Sequence, residues 1–223
     1  MSSYLNLDCM DVGRGLPSMP DNYYDLAIVD PPYGLPKAST RGSGKLKNSS
    51  LNKGKISEWD IRPNEAYWRE LMRVSRHQII WGGNYFPLPP TRCWLIWDKQ
   101  QPFPNFAPFE MAWTSFDCHP GLFSFNARLN QKAEVIHGTQ KPEELYEWML
   151  SRYAQPGWRL LDTHVGSASS LVVFERFGFE YDGYELNEGI YQRSRARLKE
   201  SRVQKSLFTG QELFKMSQKT LFD

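Results

Sequence analysis

A tetrad of residues, Asp30-Pro31-Pro32-Tyr33, directly follows the short apolar run 25–29 and combines groups that could bind an aromatic amine. The Asp30 carboxylate can accept one N–H hydrogen bond, and the Pro31 carbonyl can accept a second. Because Pro32 restricts Pro31 to an extended backbone, the direction of that carbonyl is set. The Tyr33 ring offers a face on which a nucleobase can stack. These four residues are candidate catalytic residues, and a proline-terminated strand with a packed tyrosine is the alternative.

A second group of residues predicts a site for a nucleotide-like ligand. The segment 162–170 (D-T-H-V-G-S-A-S-S) joins a strand to a helix through Gly166. Small residues at such a turn let the backbone approach a ligand at the helix N-terminus. Glu185 ends the next strand, at a spacing that fits an acidic residue receiving two ribose hydroxyls. An ordinary tight turn is the alternative, since one glycine is not a fingerprint.

Short apolar runs alternate with helical patterns, and these elements would position both groups. Strands are expected at 4–7, 25–29, 78–81, 93–97, 109–114, 122–125, 158–161 and 181–184. Helices are expected at 63–75, 142–154, 167–177 and 187–200. This alternation predicts an α/β fold with a mostly parallel, twisted sheet and helices on both faces. Ligands bind beyond the carboxyl ends of such strands, which is where Asp30, Asp162 and Glu185 fall.

Composition and charge place the chain in the ordinary globular class. It has 223 residues, is 40% hydrophobic and 23% charged, and carries a formal net charge of +2. That length supports a single domain with a core. The sequence has no apolar run of ~18 residues and no secretory pattern at its start, so no membrane association is expected. The three widely spaced cysteines, Cys9, Cys93 and Cys118, argue against a disulfide framework and for a reducing cytoplasm.

Residues 35–57 carry six cations and no carboxylate within a stretch rich in Gly, Ser and Asn. This composition predicts a flexible basic loop. The cations are candidates for contact with nucleic-acid phosphates, although a solvated loop has the same composition. They are Lys37, Arg41, Lys45, Lys47, Lys53 and Lys55. A second basic run near the end of the last predicted helix is interpreted as a solvated helical face.

Several motifs, taken in order, resemble the DNA amino-methyltransferases, which use S-adenosylmethionine (AdoMet) to methylate adenine N6 or cytosine N4. The matching segments are 6–10 (N-L-D-C-M), 30–33, 79–86 (I-I-W-G-G-N-Y-F), 97–99 (W-D-K), 137–142 (H-G-T-Q-K-P), 162–170 and 183–187 (G-Y-E-L-N). The tetrad precedes the cofactor turn, which is similar to the permuted β-type arrangement of small phage and prophage modification enzymes. The chain departs from the family at Thr163-His164, in place of Pro-Phe, and at Ala168, in place of Gly.

The resemblance implies a Rossmann-like AdoMet methyltransferase fold over residues 1–200 and assigns roles within it. The tetrad would hold the amino group of a base flipped out of double-stranded DNA. An aspartate at the head of the tetrad favours adenine by resemblance. Glu185 would hold the cofactor ribose, and Lys141 could meet the cofactor carboxylate. The cofactor-binding candidates are Asp8, Cys9, Asp30, Thr139, Lys141, Pro142, Asp162, His164, Gly166, Ser167, Glu185 and Asn187.

Other functions remain open at this stage. An exocyclic amine is present on cytosine as well as adenine, so N4-cytosine methylation is an alternative. RNA or a protein amide could replace DNA as the substrate. The altered cofactor turn is also consistent with a catalytically silent, methyltransferase-like DNA-binding protein. The four histidines share no ligand spacing, so no metal is expected.

Two further segments suggest interactions. Residues 114–136 occupy the place of a small target-recognition insert, where Phe123, Asn126 and Arg128 are candidate DNA contacts and a packed β-hairpin is the alternative. The tail 201–223 repeats Q-x-x-L-F at 204–208 and 218–222, which looks like a sliding-clamp docking peptide. An amphipathic tail packed on the domain is the alternative. We expect a cytoplasmic, nucleoid-associated monomer or homodimer.

Overall fold

Eight strands form one sheet in the computed structural model, which describes residues 1–34, 61–100, 107–126, 136, 140–203 and 209–219. The strands are β1 (Ser3–Leu5), β2 (Tyr24–Val29), β3 (Ser75–Trp81), β4 (Leu95–Asp98), β5 (Phe109–Thr114), β6 (Gly121–Ser124), β7 (Arg159–Asp162) and β8 (Glu180–Tyr184). Their order across the sheet is β1-β8-β7-β2-β3-β5-β4-β6. Each predicted strand is present, with its ends shifted by a few residues.

The sheet is mostly parallel, as predicted. The central strand β2 pairs in parallel with β3 on one side and β7 on the other, and β7 and β1 both pair in parallel with β8. Only β5, which is antiparallel to β3 and β4, departs from this direction among the described strands. The helices that follow β2 and β7 pack on opposite faces of the sheet, so a crevice opens at the carboxyl ends of these two strands.

Helices cover both faces of the sheet. They are α1 (Glu65–Val74), α2 (Glu143–Tyr153), α3 (Ser169–Arg176), α4 (Glu188–Val203) and α5 (Gly210–Lys219). Side chains alternate along β2: Leu26 and Ile28 belong to the core shared with α2 and α3, whereas Ala27 and Val29 pack on the α1 side. This alternation explains why residues 26–29 are all apolar, because both faces of the strand are buried there. It also confirms the doubly covered α/β architecture.

The C-terminal tail is part of the domain over residues 209–219. Helix α4 crosses the predicted boundary at residue 200, and α5, which was not predicted, packs on α2 and α3. The Phe214 ring is buried against Phe177 and Phe179, with ring centroids 5.6 and 5.0 Å away. Gln218, which begins the second Q-x-x-L-F motif, lies in α5 and donates to the Ser151 carbonyl at 3.3 Å. The amphipathic alternative therefore describes 209–219; residues 204–208 and 220–223 lie outside the described ranges.

Replacing Phe214 with Ala is expected to lower the free energy of unfolding by about 3 kcal/mol, because a buried aromatic ring is lost and a cavity remains. Urea denaturation followed by circular dichroism measures this change. Replacing Met216, which is half exposed on the same helix, with Ala is the matched control and should change the free energy of unfolding by less than about 1 kcal/mol. Equal effects of the two substitutions would contradict the packing of α5.

The structure corrects the expectation for two of the cysteines. Cys93 and Cys118 form a disulfide with their Cα atoms 5.1 Å apart, and Cys9 is buried and free. The parallel pairing of β4 with β6 places the residues that precede each strand side by side. Spacing along the chain cannot reveal this register, which is why the sequence argument missed the pair. Within the described part of the chain, no helix is long and apolar enough to cross a membrane.

Candidate active site

A cavity of about 820 Å³ opens at the carboxyl ends of β2, β7 and β8, and it gathers most of the predicted site residues. This size suits a nucleoside-sized ligand. The predicted residues that line it are Asp8, Cys9, Asp30, Pro31, Pro32, Tyr33, Lys141, His164, Gly166, Ser167, Glu185 and Asn187. Asp162, which is buried, and Pro142, which is partly buried, do not line it. Thr139 lies outside the described residues.

Glu185 is held in place by the turn that follows β7. Its carboxylate accepts the Gly166 N–H at 2.9 Å through Oε2 and the Asn187 N–H at 2.8 Å through Oε1. Gly166 has φ +56°, a left-handed conformation that favours glycine. Burial raises the pKa of Glu185, and the two N–H donors oppose this rise. The turn and Glu185 thus form one hydrogen-bonded unit on the cavity wall.

Asp162 supports this turn from beneath rather than facing the cavity. Its Oδ1 accepts the His164 N–H at 3.0 Å, and its Oδ2 accepts the Ser170 hydroxyl at 2.5 Å. Burial raises the pKa of Asp162 to about 7; the two hydrogen bonds lower it, and the charges of Asp30 and Glu185 raise it further. We interpret Asp162 as an organiser of the turn.

The raised pKa of Asp162 predicts a pH dependence of stability in the ligand-free protein. Because the folded state binds this proton more tightly, the stabilisation present below pH 3.8 is lost as the pH rises through about 7. Asp162→Asn removes the titration, so its stability relative to the original protein should rise by about 2 kcal/mol between pH 5.5 and 8.5. Denaturant titrations at both pH values measure this difference. Parallel pH dependences would contradict the assignment.

His164 affects the pH dependence of stability in the opposite direction. It is present in both the original protein and Asp162→Asn, so its effect cancels when the two are compared. Burial lowers its pKa to about 4, so the folded state loses stability as the pH falls from 6.5 through 4. Its Nδ1 hydrogen-bonds Thr163 Oγ1 at 2.8 Å, and its ring lies edge-on to Tyr67, with centroids 5.6 Å apart. A neutral aromatic ring therefore occupies the position where the family has phenylalanine.

Ala168 adopts a backbone conformation that normally favours glycine. It stands at the N-terminus of α3 with φ +62°, ψ +21°. An alanine in this left-handed region costs about 1–2 kcal/mol. A glycine, which the family motif has at this position, would adopt this conformation without that cost.

The Asp30–Tyr33 tetrad, predicted to be catalytic, follows β2 at the other side of the cavity. The Tyr33 hydroxyl donates to Asp30 Oδ1 at 2.7 Å, and the Lys141 ammonium donates to Asp30 Oδ2. The Tyr33 ring stacks on Tyr85, with centroids 5.1 Å apart and planes 28° from parallel. Gly82, at φ +68°, lies so close to this ring that a Cβ would come within 2.2 Å of it. Tyr85 therefore covers one face of the Tyr33 ring, the ring on which the sequence analysis expected a nucleobase to stack.

A chain of buried charges lies behind Asp30. Lys141, predicted to meet the cofactor carboxylate, instead contacts Asp30 and Glu110, whose Oε2 lies 3.1 Å from its Nζ. Lys99 contacts the other Glu110 oxygen at 2.5 Å. Burial lowers the pKa of Lys141, but the two carboxylates outweigh this effect and the net shift is upward. The sequence analysis missed Glu110, although a carboxylate within the otherwise apolar run 109–114 was a signal.

The candidate DNA contacts fall into two groups. Phe123 packs against Trp148 and Phe125, with ring centroids at 5.5 and 5.8 Å. The packed aromatic face of the alternative is therefore present, but its hairpin is wrong, because β6 pairs in parallel with β4. The Asn126 amide donates to the Gln100 carbonyl at 2.8 Å. Lys37, Arg41, Lys45, Lys47, Lys53, Lys55 and Arg128 lie outside the described residues. In the described ranges, no cluster of His, Cys, Asp and Glu side chains is arranged to hold a metal ion.

Comparison with known proteins finds sequence relatives, although no family model matches. The chain is 24% identical over 254 aligned positions to the Type II methyltransferase M.HinfI of Haemophilus influenzae, covering 90% of this chain and 69% of the relative. It is 25% identical to the Type II methyltransferase M.HpaI of Haemophilus parainfluenzae, covering 86% and 73%.

Solved structures share the fold at low sequence identity. The complex of M1.HpyAVI with S-adenosylmethionine superimposes with a TM-score of 0.56 at 16% identity, covering 88% of this chain and all of that chain. The cytosine-N4-specific PvuII DNA methyltransferase gives 0.57 at 13% identity, covering 97% and 91%. The predicted Rossmann-like methyltransferase fold is therefore confirmed, and the sequence relatives make this chain a homologue of the Type II DNA methyltransferases.

Proposed function

We propose that this protein is a DNA methyltransferase that transfers a methyl group from AdoMet to N6 of adenine in double-stranded DNA. The observation that carries the proposal is that one cavity holds both the Asp30–Tyr33 tetrad and the Gly166–Glu185 unit. An amine-binding group and a ribose-binding group are therefore adjacent, as a reaction between a base and a nucleoside cofactor requires.

The residues present fit AdoMet. The Glu185 carboxylate, fixed by two backbone N–H groups, is suited to the two ribose hydroxyls. Leu7, Leu186 and Ile190 give the same wall apolar surface for an adenine ring. AdoMet supplies an activated methyl group on a sulfonium when bound. The solved relatives M1.HpyAVI and a Thermus thermophilus protein assigned as a DNA modification methylase each form AdoMet complexes.

Asp30 and Pro31 act on the base in this mechanism. The Asp30 carboxylate and the Pro31 carbonyl accept the two N–H bonds of the exocyclic amine and so orient its nitrogen. Asp30 stabilises the positive charge that develops on that nitrogen as it is alkylated. Its Oδ1, which accepts the Tyr33 hydroxyl in the absence of a base, is available to take the proton that the amine loses. Lys141 holds this carboxylate in position through its contact with Oδ2.

The choice of adenine rests on the aspartate at the head of the tetrad. The sequence relatives and the similar solved structures do not decide between adenine and cytosine, since one of those structures, the PvuII methyltransferase, is cytosine-N4-specific. Cytosine is therefore the main competing substrate, because its exocyclic amine offers the same two N–H donors. RNA, a protein amide and a silent DNA-binding role are the remaining competitors.

Nucleoside mass spectrometry tests the proposal directly. Unmethylated duplex DNA is incubated with the protein and isotopically labelled AdoMet, with Asp30→Ala in parallel, and the nucleosides are then separated. Labelled N6-methyladenine that disappears with Asp30→Ala is the expected result. N4-methylcytosine would keep the mechanism and overturn the choice of base. No product on several DNAs, with AdoMet bound, would overturn the DNA substrate; no AdoMet binding by the folded protein would favour the silent role.

A further inference from the structure

We propose that Glu110 is a positioning residue for methyl transfer, because it fixes the Lys141 ammonium that holds the catalytic carboxylate of Asp30. The inference rests on the proposed function of the cavity. It concerns a residue outside the motifs on which the resemblance was based. Glu110 lies on β5, across the sheet from the tetrad on β2, and lines the same cavity.

Four alternating charges run from the edge of the site to its centre. Lys99 Nζ lies 2.5 Å from Glu110 Oε1, Glu110 Oε2 lies 3.1 Å from Lys141 Nζ, and Lys141 donates to Asp30 Oδ2. The Lys141 side chain is only 2% exposed, whereas the Lys99 side chain is 20% exposed. Glu110 is thus the second carboxylate in contact with a buried ammonium.

Such a chain of charges is hard to explain by stability alone. Removing a charge from water costs several kcal/mol, and well-packed apolar side chains commonly replace buried ion pairs without loss. The surroundings of Lys141 are otherwise apolar or aromatic: its Nζ lies 5.2 Å from the centre of the buried Trp81 ring. The chain ends on the carboxylate that the mechanism requires, so we assign its inner members, Glu110 and Lys141, to positioning Asp30.

Glu110 has two effects on Asp30. It contacts the same ammonium as Asp30, so two carboxylates together fix the position of the ammonium. It also supplies the charge that keeps Lys141 protonated against the effect of burial. With only Asp30 as a partner, Lys141 would lose its proton at a lower pH.

Other ionisable groups near this chain do not replace Glu110. Tyr33 and Tyr146 are buried beside the carboxylates, and burial raises the pKa of both phenols, so they stay neutral. The charge of Asp30 raises the pKa of Asp162, but Lys141 forms its ion pairs with Asp30 and Glu110 and not with Asp162. Lys99 is a cation, and its charge repels the Lys141 ammonium, so it cannot keep Lys141 protonated. Loss of the Glu110 charge should therefore lower the pKa of Lys141.

The test is the pH dependence of methyl transfer in Glu110→Gln, with Glu110→Asp and Lys99→Gln as controls. Glu110→Gln should reduce kcat about tenfold or more at pH 9.5 relative to pH 7.5, whereas the original protein stays level over that range. Glu110→Asp, which keeps the charge, and Lys99→Gln, which removes an outer charge, should both stay level. AdoMet affinity should change less than threefold in all of them. A Glu110→Gln profile parallel to that of the original protein overturns the proposal.

A second readout does not depend on activity. In lysine-¹³Cε-labelled protein, the Lys141 signal should titrate at a higher pH than the exposed lysines, and in Glu110→Gln it should titrate at a lower pH than in the original protein. A Lys141 signal that titrates at a lower pH than the exposed lysines in the original protein overturns the proposal even if the variant does not fold. If the original protein transfers no methyl group, the proposed function fails, and the NMR titration still decides the role of Glu110.

Discussion

Asp30→Asn is expected to lower the rate of methyl transfer by about 10³-fold while changing AdoMet affinity less than threefold. An asparagine keeps the size of the side chain and one acceptor, but it loses the negative charge that faces the amine. Preorganised charges of this kind contribute about 3–4 kcal/mol to a transition state. The substitution also leaves the Lys141 ammonium with Glu110 as its only remaining carboxylate contact.

Single-turnover methylation of duplex DNA, together with calorimetric AdoMet binding, separates these effects. A rate measured at saturating AdoMet reports on chemistry, and the calorimetric Kd reports on the cofactor site. Asp117→Asn is the matched control, since it removes an exposed carboxylate that pairs with Arg92 far along the sequence from the tetrad. More than a tenth of the original rate in Asp30→Asn would contradict a catalytic role for this carboxylate.

The architecture was predictable because its strands carry a strong local signal. Residues 26–29 are all apolar and lead directly to Asp30, and the structure shows these residues of β2 buried at the centre of a parallel sheet. Helix α1 begins after Asn64, whose side chain accepts the Tyr67 N–H at 3.0 Å. Helix α5 was missed because its single buried anchor, Phe214, lies in a polar segment that gives no extended apolar period.

The sequence predicted those site residues whose position follows from the end of a single strand. Asp30 and Glu185 each end a strand, and parallel strands bring those ends together. The partners of Lys141 depend instead on the antiparallel pairing of β5 with β3 and β4, which places Glu110 under the cavity. Sequence spacing carries no information on that register. The position of Asp162 beneath the turn, rather than on the cavity wall, also could not be predicted, because it depends on the hydrogen bonds that Asp162 accepts from His164 and Ser170.

The departures from the family motif at the cofactor turn are compatible with AdoMet binding. His164 is held neutral by burial, so it presents an uncharged ring where the family has phenylalanine. Ala168 keeps the left-handed conformation of the glycine that it replaces. The hydrogen bonds from Gly166 and Asn187 to Glu185 are intact. These contacts favour a functioning cofactor site over the catalytically silent DNA-binding protein. Substitution of Glu185 is therefore the most direct test of cofactor binding.

Glu185→Ala is expected to weaken AdoMet binding by about 10²- to 10³-fold. A hydrogen bond to a charged group contributes about 1.5–3 kcal/mol, and the carboxylate would bind both ribose hydroxyls. Alanine also leaves the Gly166 and Asn187 N–H groups without their acceptor, so part of the loss reflects a less ordered turn. Glu185→Gln keeps one acceptor oxygen and is expected to lose about tenfold.

Calorimetric titration of AdoMet measures these affinities, and thermal unfolding without AdoMet measures how far the turn itself has been disturbed. Glu188→Ala is the matched control: it removes a carboxylate three residues away that lines the same cavity and contacts Gln192, and it should change Kd less than threefold. If Glu185→Ala bound AdoMet within fivefold of the original protein, the ribose could not be held by this carboxylate. The cofactor would then have to lie elsewhere along the cavity, away from the turn after β7.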